Sequence, residues 1–268
     1  MIIWALFDSG NGCYKQAVDK YFPDVEIHSI GIDAHGSNSH FINLDLADYS
    51  ELFTGKSKIF ETLDKLPCPD VILASPPCEC WSTASGLLGG NNSWQYRQKI
   101  NTLLGNIDTP PLFALQTKAN FDKGIEKRGG YFVASWSNSI YKRINGELCA
   151  YNTLRIIEHY KPKVWVVENP QGGSLWNYYK QIHSFTGVKN VAHYSAYDEG
   201  FSKKPTIFLS NIFLDLKTTQ EKAKNLITTP KGGRGDRKVI YGYNKRSNIP
   251  LLLIKHIIEM CRKEIGKS

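Results

Sequence analysis

No apolar stretch in this 268-residue chain approaches the roughly 20 residues that a membrane-spanning helix requires. The first apolar run is cut by Asp8, too early for the core of a secretory signal. No two cysteines stand at the CxxC spacing of a zinc knuckle, and no second pair follows Cys78 and Cys80. The six thiols (Cys13, Cys68, Cys78, Cys80, Cys149, Cys261) show no disulfide framework either. Reduced thiols in a cytoplasmic compartment, no bound metal and no membrane are therefore expected. There is no internal repeat and no low-complexity tract, which excludes solenoids and compositional tails.

The chain has apolar residues in quantity and an excess of positive charge. A hydrophobic fraction of 41% supplies a core for one large α/β domain, or a domain with a small companion. The formal net charge of +8 favours a polyanionic partner such as nucleic acid.

Short apolar runs alternate with helical patterns. Strands are expected over Ile3–Phe7, Val25–Ile32, Phe41–Leu44, Val71–Ala74, Val164–Val167, Asn190–Tyr197 and Thr206–Leu209. Helices are expected over Cys13–Tyr21, Ser57–Leu66, Cys149–His159, Leu175–Phe185 and Leu251–Ile265, the last opened by Pro250. The order implies right-handed crossovers and a doubly wound parallel sheet. From about Ser85 to Gly146 the pattern dissolves into glycine, asparagine, aromatic and basic residues, too long for a simple connection.

Three of the strands end in chemistry, at the edge where α/β sheets bind ligands. The first runs into Phe7-Asp8-Ser9-Gly10-Asn11-Gly12, a turn whose glycines either let backbone approach a ligand or simply make it tight. Asp33, at the end of the second strand, has the placement to hold ribose hydroxyls, or to cap a helix. Asp45 has the placement to meet an adenine amino group, or to close a turn. The fourth strand runs into Ser75-Pro76-Pro77-Cys78, which presents a thiol on a stiffened turn. Cys80 shares that loop and is read as structural. Glu168 and Asn169 end another apolar run. A carboxylate there is costly to bury without a partner, and the alternative to a functional role is a structural bond to backbone or to Arg155. Lys203-Lys204-Pro205-Thr206 reads by itself as a solvated basic turn.

In order along the chain, FDSGNG (7–12), GIDA (31–34), NLDL (43–46), SPPCECWS (75–82), GELCAYNTLRIIEHYKPKVWVVENP (146–170) and RSNIP (246–250) resemble the DNA cytosine-5 methyltransferases. The likeness covers roughly residues 1–84, 146–212 and 243–265. Tyr194-Ser195-Ala196-Tyr197, Gly200 and Lys204-Pro205-Thr206 look like a compact branch found in phages and mobile elements, which implies the cytoplasm of a bacterial or phage-infected cell.

The resemblance implies a Rossmann-like, S-adenosylmethionine-dependent methyltransferase: a catalytic domain over 1–212 with an insertion at about 85–146, a short target-recognition region over 213–241, and a C-terminal helix over 242–268. It implies Cys78 as nucleophile, Glu168 at the cytosine ring nitrogen and amine, Asn169 orienting the Pro-Cys loop, and Lys204 beside them. The cofactor would lie against Phe7, Asp8, Gly10, Gly12, Asp33, Ala34, Asp45 and Pro76. Duplex DNA, with the cytosine flipped out, would meet Ser82, Lys204, Thr206, Arg234 and Arg237. The segment Gly86–Asn92 would close over the site, and the insertion would carry much of the DNA contact. A monomer is expected. Glu79 stands where the family has glutamine, Pro170 where it has valine, and Lys204 and Thr206 where it has arginines. Ser-Pro-Pro-Cys also occurs in relatives that modify transfer RNA, so an RNA substrate and a nucleic-acid-binding homologue with little catalysis remain open.

Overall fold

The computed structural model describes residues 1–9, 12–33, 38–82, 99–103, 105–108, 117–126, 135–221 and 248–267. The chain forms two compact units. The first comprises Met1–Pro76, Tyr151–Gln171 and Gly187–Ser268; the second comprises Pro77–Ala150 and Gly172–Thr186. The second is wider than the insertion read from the sequence, because it takes in the Pro-Cys loop and a later helix.

The first unit holds a seven-stranded sheet. Its strands are β1 (Ile2–Leu6), β2 (Glu26–Gly31), β3 (Phe41–Asn43), β4 (Val71–Ala74), β7 (Val164–Pro170), β8 (Val188–His193) and β9 (Pro205–Ser210). Two further strands, β5 (Lys99–Thr102) and β6 (Gly105–Asp108), form an antiparallel hairpin in the second unit. The sheet order is β3-β2-β1-β4-β7-β9-β8. From β1 the chain goes outward to β2 and β3, then crosses back to β4, so the order reverses between β1 and β4. In open α/β sheets that reversal is where ligands bind.

The expected all-parallel sheet is corrected at one strand. β9 runs antiparallel to both β7 and β8. The chain leaves β8 through a single 3-10 turn at Tyr194–Ala196 and returns directly as β9. A parallel return would need a crossover of a dozen or more residues, usually helical.

One face of the sheet packs against α1 (Cys13–Tyr21) and a long C-terminal helix. Ile3, Ala5, Ile27, Val71, Leu73, Val164 and Val166 meet Ala17, Val18, Leu253, Ile254, Ile257 and Ile258 in one apolar core. The strands alternate these with residues for the opposite face, as the period of two requires. Two short helices, α2 (Glu51–Thr54) and α3 (Lys58–Leu63), lie between β3 and β4 in the chain. In α3 the Ser57 side chain accepts from Phe60 N, satisfying one of the helix's orphan donors.

The second unit contains α4 (Lys118–Glu126), the first part of α5 (Trp136–Tyr160) and α6 (Leu175–Ile182). α5 starts well before Cys149 and continues through the boundary into the first unit. The C-terminal helix, α7 (Leu251–Ile265), begins at Pro250, as expected. No helix among the described residues is long and apolar enough to cross a membrane.

Candidate active site

Register places the chemistry. Leu6, Ala74 and Val167 lie side by side across β1, β4 and β7, and Ile30 pairs with Leu6 from β2. The next residues, Phe7, Gly31, Ser75 and Glu168, therefore reach the C-terminal edge of the sheet at one level, at the reversal of strand order.

Phe7 leaves β1 with φ +63°, a left-handed conformation unusual for a residue with a side chain. Such a conformation costs about 1–2 kcal/mol, and the chain turns sharply there. Asp8 then folds back into the interior. Its Oδ2 accepts the Ser29 hydroxyl at 2.9 Å, and burial pushes its pKa up to about 7 despite that bond. A Cβ on Gly12 would stand 1.6 Å from Asp8 Oδ1, and one on Gly31 would stand 2.5 Å from Asp8 O. These two glycines are required by the packing of Asp8.

Glu168 is 8% exposed at the C-terminal edge of the sheet. Tyr194 Oη donates to its Oε1 at 3.1 Å, and the Ser75 hydroxyl also bonds it. Tyr14 Oη lies 2.7 Å from Ser75 Oγ, extending the chain of hydroxyls. Burial raises the Glu168 pKa, opposed first by the nearby Lys204 ammonium and then by the Tyr194 and Ser75 bonds. Lys204 Nζ stands 4.6 Å from the centre of the Tyr194 ring, and its backbone has φ +31°. The alternative partner for Glu168 is engaged elsewhere: Arg155 pairs with Glu51 at 2.7 Å and lies over the Phe60 ring.

Asn169 is fully buried. Its Nδ2 donates to Pro76 O at 2.9 Å, tying the end of β7 to the turn that leads into Cys78. Its Oδ1 has no hydrogen-bond partner among the described residues, so one polar atom at the site is left for a further group.

The second unit shapes the cysteine loop. Cys78 O accepts from Trp81 N at 3.1 Å and from Ser82 N at 2.8 Å, which winds residues 78–82 into one helical turn. That turn separates the two thiols: Cys78 is half-buried and Cys80 is buried. Cys80 packs on Gly146 of α5, where a Cβ would come within 2.1 Å of its sulfur. Trp81 O accepts from Ser174 N at 2.9 Å, and the Trp81 ring lies 4.8 Å from that of Tyr178 on α6. Glu79 pairs with Lys142 at 3.1 Å, which offsets its charge.

Burial holds other thiols protonated. It pushes Cys13 and Cys261 up to about 12 and raises Cys80 as well. Cys149 is buried, and exposed Cys68 lies before β4, at the opposite end of the strand from the chemistry. Cys13 is near enough to Glu168 and Lys204 to feel both charges. Cys78 is the half-buried thiol that follows β4 in the chain, four residues after Ala74.

No protein-family model matches this chain, and no curated protein does.

The remaining sequence-derived site residues are placed as follows. Asp33 is exposed just after β2. Asp45 is exposed, and its Oδ1 closes a turn by accepting Ala47 N at 2.8 Å. Pro76 is buried and Ser82 half-buried. Thr206 is fully buried in β9 and donates to Lys204 O at 3.0 Å, so it offers no surface to a phosphate. Gly10, Ala34, Arg234, Arg237 and the 86–92 segment lie outside the described residues. Local pattern does not mark Tyr194, Ser75 or Tyr14 as site residues, although Tyr194 opens the 194–197 stretch quoted for the resemblance. Ser75 and Tyr14 became visible only once β4 and α1 were placed.

Asp33 is exposed just after β2, and the left-handed turn at Phe7 sets a half-buried aromatic ring at the end of β1. Asp8 does not fit as a ligand-facing group, since its carboxylate points inward to Ser29.

Proposed function

We propose that this protein transfers a methyl group from S-adenosylmethionine to carbon 5 of cytosine in DNA, through a covalent adduct at Cys78. One observation supports this reading most: a carboxyl, Glu168, is buried at the C-terminal edge of the sheet, where burial raises its pKa above the ordinary carboxylate value. Its neighbour Asn169 meanwhile holds the turn that delivers Cys78.

Carbon 5 of cytosine is a poor nucleophile. Addition of the Cys78 thiolate to carbon 6 moves the ring electrons toward carbon 5 and the ring nitrogen, and splits one difficult step into two. Glu168 donates a proton to that nitrogen as negative charge develops there. A raised pKa suits this task, because an acid must still hold its proton near neutral pH. Tyr194 and Ser75 fix the carboxyl's orientation, and Lys204 limits how far its pKa climbs. The cofactor, when bound, supplies an electrophilic methyl group. Carbon 5, once bonded to that methyl group, loses its proton to water as the Cys78–carbon 6 bond breaks to return the thiolate, and the ring nitrogen gives its proton back to Glu168. Asp33 and Phe7 are the residues proposed to hold the nucleoside part of the cofactor.

The test is label transfer from tritiated S-adenosylmethionine to mixed-sequence duplex DNA, with Cys78→Ala and transfer RNA beside it. Label in 5-methylcytosine of DNA, lost in Cys78→Ala, is expected. Label on RNA alone would move the substrate. No label on either, with DNA still bound, would leave a binding protein and contradict the proposal.

A further inference from the structure

The edge of the sheet carries a set of side chains that the reaction does not use. Glu26 and His28 are two apart on β2, and so project from the same face. The register of β2 with β3 begins at Ser29 with Phe41, and Ser29 N also donates to His40 O at 3.2 Å. One residue back along both strands, His28 therefore meets His40. Their rings stand 5.4 Å apart, and His28 Nε2 lies 2.9 Å from Glu26 Oε1. One ligand atom from each of the three residues falls within 4.8 Å of the other two. His28 is buried, while Glu26 and His40 are exposed, so the group opens to solvent on one side.

We propose that Glu26, His28 and His40 bind one divalent transition-metal ion, zinc by ligand type, which pins β3 to β2. Two imidazoles and a carboxylate are a zinc donor set, with bonds of about 2.0–2.2 Å and a fourth position for water. Ligand atoms in such a tetrahedron stand roughly 3.3 Å apart, a closure that small rotations of the two exposed side chains supply. His40 is already positioned: its backbone N–H donates to Asn38 Oδ1 at 2.9 Å, and Phe41 N donates to Asn38 O. β3 has a use for such a clip. It is an edge strand of three residues, none of them fully buried, so few apolar contacts hold it. Cysteine spacing has no bearing on this set, whose members come together only through strand register. The inference is independent of the methyl-transfer reading.

Full-length protein stripped with a chelator is titrated with zinc against a chromophoric competitor, then with cobalt(II) as a spectroscopic probe. One equivalent of zinc is expected to bind and to raise the thermal midpoint. His40→Ala and Glu26→Gln, both at exposed positions and checked for fold by circular dichroism, should each weaken binding about tenfold or more. The cobalt spectrum should show nitrogen and oxygen ligation without a thiolate charge-transfer band. Absence of stoichiometric binding, binding unchanged in both variants, or a thiolate band accounting for the full equivalent would each overturn the proposal.

Discussion

Glu168 and Asp8 are both buried carboxyls, but their surroundings differ. Glu168 faces Lys204, Tyr194 and Ser75, which together favour its ionised form against burial. Removing the Tyr194 hydroxyl takes away one of those groups, so Tyr194→Phe should raise the Glu168 pKa further. The limb of kcat/KM that falls with rising pH should then move to higher pH; an unmoved limb would contradict a role for that bond. Glu168→Gln keeps an acceptor for Tyr194 but cannot donate the carboxyl proton, and kcat should drop by about 10²-fold or more. Among the described residues the side-chain donor to Asp8 is Ser29, and burial raises its pKa to about 7 in the fold against 3.8 in the unfolded chain. Between those values unfolding releases a proton, so stability falls as pH rises, by up to about 4 kcal/mol once both states are ionised. Asp8→Asn lacks that slope. Urea midpoints at pH 5.5 and pH 8 should show a gap that widens toward pH 8 in favour of the variant. Parallel pH dependences would show that Asp8 is not the buried acid described.

The elements read most clearly from sequence are those whose pattern is local. β4 and α7 match their expected bounds, because a β-branched run and an apolar stripe opened by proline leave few alternatives. The direction of β9 was not legible, since antiparallel pairing here follows from a short connection and not from composition. The early part of α5 was missed because Ser137, Asn138 and Ser139 carry no apolar period. The β5–β6 hairpin has no local signal, because no asparagine-glycine pair separates Lys99–Thr102 from Gly105–Asp108. Cys78, Glu168 and Asn169 stand out in the sequence because each follows an apolar run. The Tyr14–Ser75–Glu168–Tyr194 network needed four separate elements and was beyond any local pattern. The contact of Gly146 on α5 with Cys80 is testable at this scale. Gly146→Ala should destabilise the protein by about 1–3 kcal/mol through overpacking. Cys80→Ala in the same chain should recover most of that, because the nearest remaining atoms at that spot, Cys80 Cβ and Trp81 Nε1, both stand 3.4 Å away. Additive losses in the double variant would contradict the contact.

At the scale of the molecule, 33 Lys and Arg against 25 Asp and Glu give a formal net charge of +8, which favours the polyanionic partner we propose. Affinity for duplex DNA, followed by fluorescence anisotropy, should fall linearly with the logarithm of salt concentration. Affinity insensitive to salt would contradict a phosphate-contacting surface. The central claim, that Cys78 attacks carbon 6 of cytosine, is tested most directly by a duplex in which cytosine carries fluorine at carbon 5. Release of the thiolate requires loss of a proton from carbon 5, and fluorine cannot leave as a cation, so the adduct should persist after methyl transfer. With S-adenosylmethionine present, a protein–DNA species stable to denaturation is predicted. Its peptide should map to residues 75–82 with the link at Cys78, and it should be absent in Cys78→Ala. No adduct under conditions where DNA is bound, or one that survives Cys78→Ala, would contradict the account.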